Sequence, residues 1–222
     1  MLCLAEQTQQ RDIYPMIMLT LVKVMIFAVL LFSVILHEIA HGYTALRLGD
    51  STARDAGRLT LNPIKHIDPF GTVLLPLLLY FAQSPILFGW AKPVPVNPFL
   101  LRNPNKDMML VAASGPLTNI TLAVFFALGL RYLPAHSPPL FVDLLVYSCY
   151  INIILAFFNL LPIPPLDGSK LLAGFLPAKL KQSYLLLGRY SLFIVLPLLY
   201  LALKYGVLTT IVERIFYFLV KA

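Results

Sequence analysis

Three side chains near the end of a long apolar stretch could bind a metal ion and activate water on it. His37 and His41 lie four positions apart, and Glu38 directly follows the first histidine. Residues four apart share one face of an α-helix, so both imidazoles could bind one zinc ion while Glu38 reaches its water. In a soluble protein the same residues could be two surface histidines and a solvated glutamate. Ionisable groups inside a membrane are costly, so their apolar surroundings favour a site with a chemical task.

The composition of the chain is that of a protein embedded in a membrane. Of its 222 residues, 59% are hydrophobic and 12% are charged, and the mean hydropathy is +0.81. These values lie outside the range of soluble domains. Residues 1–12 lack the basic start, short apolar core and cleavage pattern of a secretory signal. We therefore expect the first apolar helix to remain in the mature protein.

Charge and cysteine content argue against two other kinds of site. The net charge is +7, but no basic run with interleaved aromatic residues is present, and nucleic-acid binding is not predicted. Lysine and arginine beside apolar segments usually report membrane orientation instead. Cys3 and Cys149 provide neither a disulfide framework nor a cysteine metal site, so histidine and carboxylate groups would have to bind any zinc ion.

The apolar segments predict an all-α, polytopic membrane protein, a bundle of about four to six transmembrane helices in a single domain. Three of them would form the catalytic core, and a C-terminal region would add a fourth span and an amphipathic or membrane-spanning tail. Small residues in the second span would permit close contact between helices. The predicted segments cover residues 16–47, 108–132 and 140–161 for the core, and 185–203 and 207–220 within the C-terminal region 185–220.

Residues 70–90 are apolar but are divided by Pro76 and Pro85. The resulting runs are too short to cross about 30 Å of hydrocarbon as regular helix. We therefore expect a re-entrant segment that enters the membrane and returns to the same side, partly as a strand pair. Protein or water would have to cover its freed backbone groups.

The distribution of basic residues predicts which side of the membrane each connection faces. Residues 47–107 hold seven lysines and arginines, whereas the connection 131–139 holds only Arg131. Cytosolic connections carry the excess of positive charge, so 47–107 should face the cytosol. At 1.5 Å per residue, His41 lies about 9 Å and His37 about 15 Å from Arg47. The histidine pair is therefore expected just below the cytosolic face.

A catalytic zinc site needs a third protein ligand beside the two histidines. Asp167 is the leading candidate, because it follows the third span on the side to which the first span brings the histidines. Pro162, Pro164 and Pro165 precede it, end the helix and favour an extended chain. The alternative is that Asp167 caps the short helix that follows, or forms an Asp-Gly turn.

Three motifs in this order resemble those of the site-2 proteases, a family of intramembrane zinc metalloproteases. His37–Gly42 matches the first motif, Ser114–Asn119 is similar to the small-Gly-Pro-x-x-Asn element, and Asn159–Gly168 matches the Asn-x-x-Pro-x-x-x-Leu-Asp-Gly motif. Residues 61–69 and 89–98 resemble a compact bacterial or archaeal subgroup. Compared with other subgroups, we expect neither a periplasmic PDZ domain, for which the chain has no room, nor an appended nucleotide-sensing domain, and therefore no regulation through such domains.

The resemblance implies that one zinc ion per chain is bound by His37, His41 and Asp167, with Glu38 as the general base. Asn159 would donate a hydrogen bond to the substrate backbone or to the developing oxyanion. The alternative for Asn159 is a hydrogen bond between helices.

Two further polar residues have less definite roles. Asn119 is a second candidate for contact with the substrate or oxyanion, with packing between helices as the alternative. His66 is either a loop residue or a group that gates or contacts the substrate.

The partners implied by the resemblance are a lipid bilayer and a membrane-protein substrate with a transmembrane helix. The location would be a prokaryotic plasma membrane, crossed several times by the chain. The substrate helix would have to unwind and present an extended strand, with which the edge of residues 70–90 could pair. The sequence carries no signal for the oligomeric state.

Two other functions remain as alternatives to a zinc endopeptidase that cleaves near the cytosolic face. A zinc transporter would also place histidines on membrane helices, but it would want ligands near the midplane and commonly a histidine-rich loop. This chain has four histidines in all. A catalytically inactive scaffold is the second alternative, but His37, Glu38, His41 and Asp167 are all present. The sequence therefore favours an active enzyme.

Overall fold

The computed structural model describes residues 2–83 and 89–221, without the side chains of residues 2–19, 80 and 192. This part of the chain consists of helices joined by turns and contains no strand, so the predicted all-α class is confirmed. The α-helices are α1 (Leu2–Arg47), α2 (Thr52–Asp55), α3 (Leu75–Phe81), α4 (Pro104–Arg131), α5 (Pro139–Asn159), α6 (Asp167–Phe175), α7 (Ala178–Leu186), α8 (Ser191–Lys204) and α9 (Val207–Lys221).

Three helical segments among the described residues are long and apolar enough to cross a membrane, namely Thr20–Arg47 within α1, α4 and α5. They hold 28, 28 and 21 residues, which corresponds to about 42, 42 and 32 Å, against about 30 Å of hydrocarbon. They match the three predicted core spans. The predicted start at residue 16 falls on residues whose side chains lie outside the described part of the chain, and it stays a prediction.

The predicted span over residues 185–203 does not form one straight helix. The chain forms α7, a 3-10 turn at Leu187–Tyr190 and α8, with a bend of 71° between the two helical parts. Gly188 and Arg189 weaken an apolar helix at this turn. A fourth crossing exists only if the bent pair acts as one span. The described residues therefore provide three spans, one below the expected range of four to six, or four spans if the bent pair counts as one.

The C-terminal helix α9 is amphipathic. Val212 is buried against Ala123 of α4 and Cys149 of α5, whereas Glu213 and Arg214 are exposed. Its 15 residues are about 22 Å long, too short to cross the hydrocarbon alone. We conclude that α9 packs along α4 and α5 and supports the bundle.

The two ends of the predicted re-entrant segment meet. The N–H of Trp90 donates to the carbonyl of Gly71 at 3.1 Å, and the hydroxyl of Thr72 donates to the carbonyl of Trp90 at 2.8 Å. Between them lie a π-helical turn, Pro69–Leu74, and α3. Residues 71 and 72 thus lie beside residue 90, as the two ends of a re-entrant segment must. Its described part is helical, so the expected strand pair is not seen there, and residues 84–88 with Pro85 lie outside the described residues.

Small and polar residues hold the three long helices together. Ala112, Gly115 and Ala123 are buried on α4, where small side chains let neighbouring helices approach closely. Large apolar residues such as Phe27 and Phe125 face outward, with 62% and 64% of their surfaces exposed. Outward-facing apolar side chains suit a helix bundle surrounded by lipid.

Candidate metal centre

The ligand candidates His37 and His41 lie on the last turns of α1. No glycine or proline occurs between residues 16 and 41, so the helix reaches the motif unbroken and places both side chains on one face. Only 6% and 7% of their surfaces are exposed. Their rings meet edge to face, with 4.6 Å between the centroids.

Asp167 is the first residue of α6 and brings a carboxylate to the same point. The preceding Leu166 is extended, with φ −60° and ψ 158°, as expected after the proline-rich turn. Asp167 Oδ2 lies 3.1 Å from His37 Nε2 and 3.0 Å from His41 Nε2. The other oxygen, Oδ1, accepts a hydrogen bond from Lys170. With both oxygens engaged in this way, the geometry favours the ligand interpretation over the capping alternative.

The three ligand atoms fit a zinc ion. His37 Nε2 and His41 Nε2 are 3.0 Å apart, so together with Asp167 Oδ2 they form a nearly equilateral triangle. Ligands at about 2.0 to 2.1 Å from a tetrahedral zinc ion lie about 3.3 Å from each other. Two imidazoles and one carboxylate are a donor set of catalytic zinc sites, in which the fourth position is left for water.

The second ring nitrogen of each histidine has a buried oxygen partner. His37 Nδ1 lies 2.6 Å from the side-chain oxygen of Asn119, and His41 Nδ1 lies 2.7 Å from the carbonyl of Val111. An oxygen of either kind only accepts, so each Nδ1 carries the proton. Each Nε2 is therefore free to bind a metal, and the orientation of each ring is fixed.

Asn119 connects the site to a buried polar network across three helices. Its amide nitrogen donates to the side-chain oxygen of Asn152 at 2.9 Å, and Asn152 donates to the hydroxyl of Ser33 at 3.0 Å. Asn119 and Asn152 have no exposed surface. With its oxygen on His37 and its nitrogen on Asn152, Asn119 has the surroundings of a residue that positions His37, which favours the packing alternative over substrate contact.

Lys170 is a neighbour of the site that the sequence reasoning missed. One turn after Asp167 on α6, its ammonium group donates to Asp167 Oδ1 at 2.9 Å. Burial raises the pKa of Asp167, but its contacts with His37 and His41 and the charge of Lys170 outweigh burial and hold the pKa well below its usual range. Asp167 is thus ionised, the form that binds a metal. The three-residue spacing of Asp167 and Lys170 on one helix is the sequence signal that could have predicted this ion pair.

Two glycines allow the backbone to approach the site. A Cβ on Gly115 of α4 would lie 2.6 Å from Nε2 of His37 and would also overlap Nε2 of His41. A Cβ on Gly168 would overlap the carbonyls of Leu160 and Leu161, which precede the proline-rich turn. Gly115 therefore lets α4 close over the histidine pair, and Gly168 lets the turn fold back beneath Asp167.

The base candidate Glu38 is held by a proline-rich strap, which we define as residues 92–97. Glu38 Oε2 accepts a hydrogen bond from the N–H of Val94 at 2.7 Å. Arg58 donates to the carbonyls of Lys92 and Pro93, at 2.6 and 3.3 Å. The strap ends at Asn97, whose N–H donates to Asp50 at 2.6 Å. Buried charged side chains thus fix an extended segment beside the base.

The remaining two site candidates, Asn159 and His66, form hydrogen bonds with described residues other than His37 and His41. The amide nitrogen of Asn159 donates to the carbonyl of Leu155 in its own helix at 3.0 Å. This hydrogen bond therefore does not join two helices, as the alternative for Asn159 expected. His66 is buried, its Nε2 pairs with the carbonyl of Thr60 at 2.9 Å, and its own carbonyl accepts from Lys92. These contacts favour a loop-forming role for His66. Substrate contact by Asn159 and gating by His66 stay predictions.

Comparison with known proteins connects this arrangement to a family. Residues 135–198 match the model of peptidase family M50. This stretch contains α5, the proline-rich turn and Asp167. A Bacillus subtilis protein, YwhC, is 41% identical over 166 residues, which is 69% of this chain and 72% of that relative. No solved structure gives a significant match.

For two further relatives, the matched region is a smaller share of the relative's own length. Rip2 of Mycolicibacterium smegmatis is 33% identical over 150 residues, 66% of this chain and 55% of that relative. MJ0611 of Methanocaldococcus jannaschii is 48% identical over 63 residues, 28% of this chain and 31% of that relative. All three relatives carry names that describe candidate zinc metalloproteases. The chain belongs to peptidase family M50, the site-2 protease family of membrane zinc metalloproteases.

Proposed function

We propose that this protein is a zinc-dependent intramembrane endopeptidase that cleaves transmembrane segments of other membrane proteins near the cytosolic face, as in regulated intramembrane proteolysis. One observation carries the proposal: His37, His41 and Asp167 converge with buried ligand atoms, and Glu38 lies beside them on a helix apolar enough to span a membrane. A metal-binding group in such surroundings needs a chemical task to offset its cost.

The residues divide the work of peptide hydrolysis. Zinc bound by His37, His41 and Asp167 would lower the pKa of a water molecule and polarise the scissile carbonyl. Glu38 would serve as the general base that takes a proton from water and passes it to the leaving amine. Asn119 and the carbonyl of Val111 keep the imidazoles in the metal-binding tautomer.

The substrate class follows from where the site lies. A peptide bond inside a transmembrane helix is already hydrogen-bonded, so the substrate must unwind locally and present an extended strand. The lipid bilayer therefore surrounds the protein and is also one of its partners. The protein is located in the plasma membrane of a prokaryote, which the chain crosses several times. The basic residues of 47–107 support a cytosolic position for the nearby face.

The test compares Glu38→Gln with the wild type in lipid vesicles that hold a single-pass model substrate. Because Glu38 is not one of the three ligand candidates, we expect the variant to retain about one equivalent of zinc while cleavage falls at least a hundredfold. Glu213→Gln, the same change at an exposed position of α9, is the matched control and should cleave normally. Cleavage by Glu38→Gln at the wild-type rate would overturn the proposal.

A further inference from the structure

A basic cleft lies on the far side of the strap from Glu38. It has a volume of about 460 Å³. We define it by its polar residues, Arg58, Lys65 and Lys92, and by two isoleucines, Ile64 and Ile67; Ala56, Pro93 and Pro95 complete its lining. None of the described residues that line it is acidic. The cleft therefore concentrates three positive charges in one place, and nothing in the site described above makes use of them.

Among the described residues, Arg58 has no acidic partner for its charge. Only 7% of its surface is exposed, and none of the ion pairs among the described residues includes it. Its hydrogen bonds go to the neutral carbonyls of Lys92 and Pro93, and its Nε is buried with no partner among the described residues. A buried charge is costly unless an opposite charge compensates it. The cleft is thus suited to an anion.

The two isoleucines distinguish between kinds of anion. Ile64 is 73% exposed and Ile67 is 38% exposed, although both are large apolar residues. They flank Lys65, which is also exposed. Exposed apolar groups interleaved with cations are typical of segments that lie at the membrane interface, with the apolar groups in the acyl region and the cations at the phosphates.

We propose that the basic cleft binds the phosphate of an anionic phospholipid headgroup, with Ile64 and Ile67 against its acyl chains. The site is separate from the proposed metal centre, and its test does not depend on proteolysis. It is nevertheless connected to that centre, because the peptide bond between Pro93 and Val94 contacts Arg58 on one side and Glu38 on the other. A bound headgroup would thus help to hold the strap in place.

Native mass spectrometry of the full chain tests the proposal, with phosphatidylglycerol and phosphatidylcholine supplied in equal amounts. A cation near an anionic lipid surface favours binding by about fivefold. We therefore expect the wild type to retain phosphatidylglycerol about fivefold or more over phosphatidylcholine. The double variant Lys65→Gln/Lys92→Gln keeps Arg58 but loses the other two charges of the cleft, so its preference should be several-fold lower than that of the wild type. Both lysines are exposed, so the fold should tolerate their replacement.

Two further measurements identify what causes any change in the lipid preference. Lys179→Gln removes one exposed charge from α7 and should leave the preference within twofold of the wild type. Inorganic phosphate, added in millimolar excess, should leave the lipid bound. Equal retention of the two lipids by the wild type would overturn the proposal, and so would an unchanged preference in the double variant, an equal loss in Lys179→Gln, or displacement by free phosphate.

Discussion

Arg58 and Glu38 hold the two polar groups of one peptide bond. The guanidinium of Arg58 donates to the carbonyl of Pro93 at 3.3 Å, and Glu38 Oε2 accepts from the N–H of the next residue, Val94, at 2.7 Å. Val94 lies between Pro93 and Pro95, two residues that have no N–H. The N–H of Val94 is therefore the backbone donor that residues 93–95 can offer to Glu38, and this hydrogen bond fixes one carboxylate oxygen of Glu38.

The first prediction concerns this amide. Val94→Pro removes the donor and should lower kcat about tenfold, because a hydrogen bond to a charged group is worth about 1.5 to 3 kcal/mol. KM and zinc content should change little, since Val94 bonds to Glu38, which is not one of the three ligand candidates. The measurement is steady-state cleavage of a model substrate in vesicles, together with metal analysis.

Val94→Ala is the matched control for that change, because it shortens the side chain and keeps the N–H. Wild-type kcat in Val94→Ala with reduced kcat in Val94→Pro would establish that the amide positions Glu38. An equal loss in both variants would show that the side chain of Val94 matters through packing instead.

The second prediction concerns the approach of α4 to the histidine pair. Gly115→Ala should reduce zinc occupancy at least tenfold, since its Cβ would lie 2.6 Å from His37 Nε2 and something must shift. Gly129→Ala is the control on the same helix, where a Cβ would meet Leu145 at an ordinary 3.6 Å. Metal analysis of both purified variants provides the comparison, and full zinc content in Gly115→Ala would contradict the close packing described here.

The third prediction concerns the partner of His37. Asn119→Ala removes the acceptor for His37 Nδ1 and should weaken zinc binding by about 10- to 100-fold, the usual effect of losing such a partner. Ser148→Ala alters a neighbouring buried polar residue whose hydroxyl bonds within its own helix, and it should bind zinc normally. Competition with a calibrated chelator measures both affinities. A substrate role alone would lower cleavage and leave the zinc affinity of Asn119→Ala unchanged.

The three ligand candidates could be predicted from the sequence because their signals are local. A four-residue spacing places His37 and His41 on one face of any helix, and the prolines before Asp167 force a break at a fixed distance from a recognisable apolar span. Helix direction alone then brings Asp167 to the same side as the histidines. Those inferences need no knowledge of how the side chains pack.

The partners of the ligands depend on tertiary packing and could not be predicted in the same way. Asn119 reaches His37 over 82 positions, and Val94 reaches Glu38 over 56 positions. Neither pairing leaves a periodic pattern in the sequence. The break at Gly188 was likewise hidden, because apolar composition reports burial in lipid and not the straightness of a helix.

The fourth prediction concerns membrane orientation. Single cysteines at positions 51, 105 and 137, in a variant lacking Cys3 and Cys149, are treated in whole cells with a membrane-impermeant maleimide. We expect label at position 137 alone, because residues 47–107 carry most of the basic residues beside the first two spans. Permeabilised cells, in which all three positions should react, provide the control. External labelling at position 105 would contradict the return of residues 70–90 to the cytosolic side.

The coordination of zinc tests the central claim most directly. X-ray absorption at the zinc edge of purified Glu38→Gln measures which atoms surround the metal without loss of protein to self-cleavage. The arrangement of His37, His41 and Asp167 predicts two imidazole nitrogens and oxygen ligands at about 2.0 to 2.2 Å, with one imidazole lost in His41→Ala. A sulfur ligand at about 2.3 Å, or an unchanged spectrum in His41→Ala, would contradict the assignment of this metal centre.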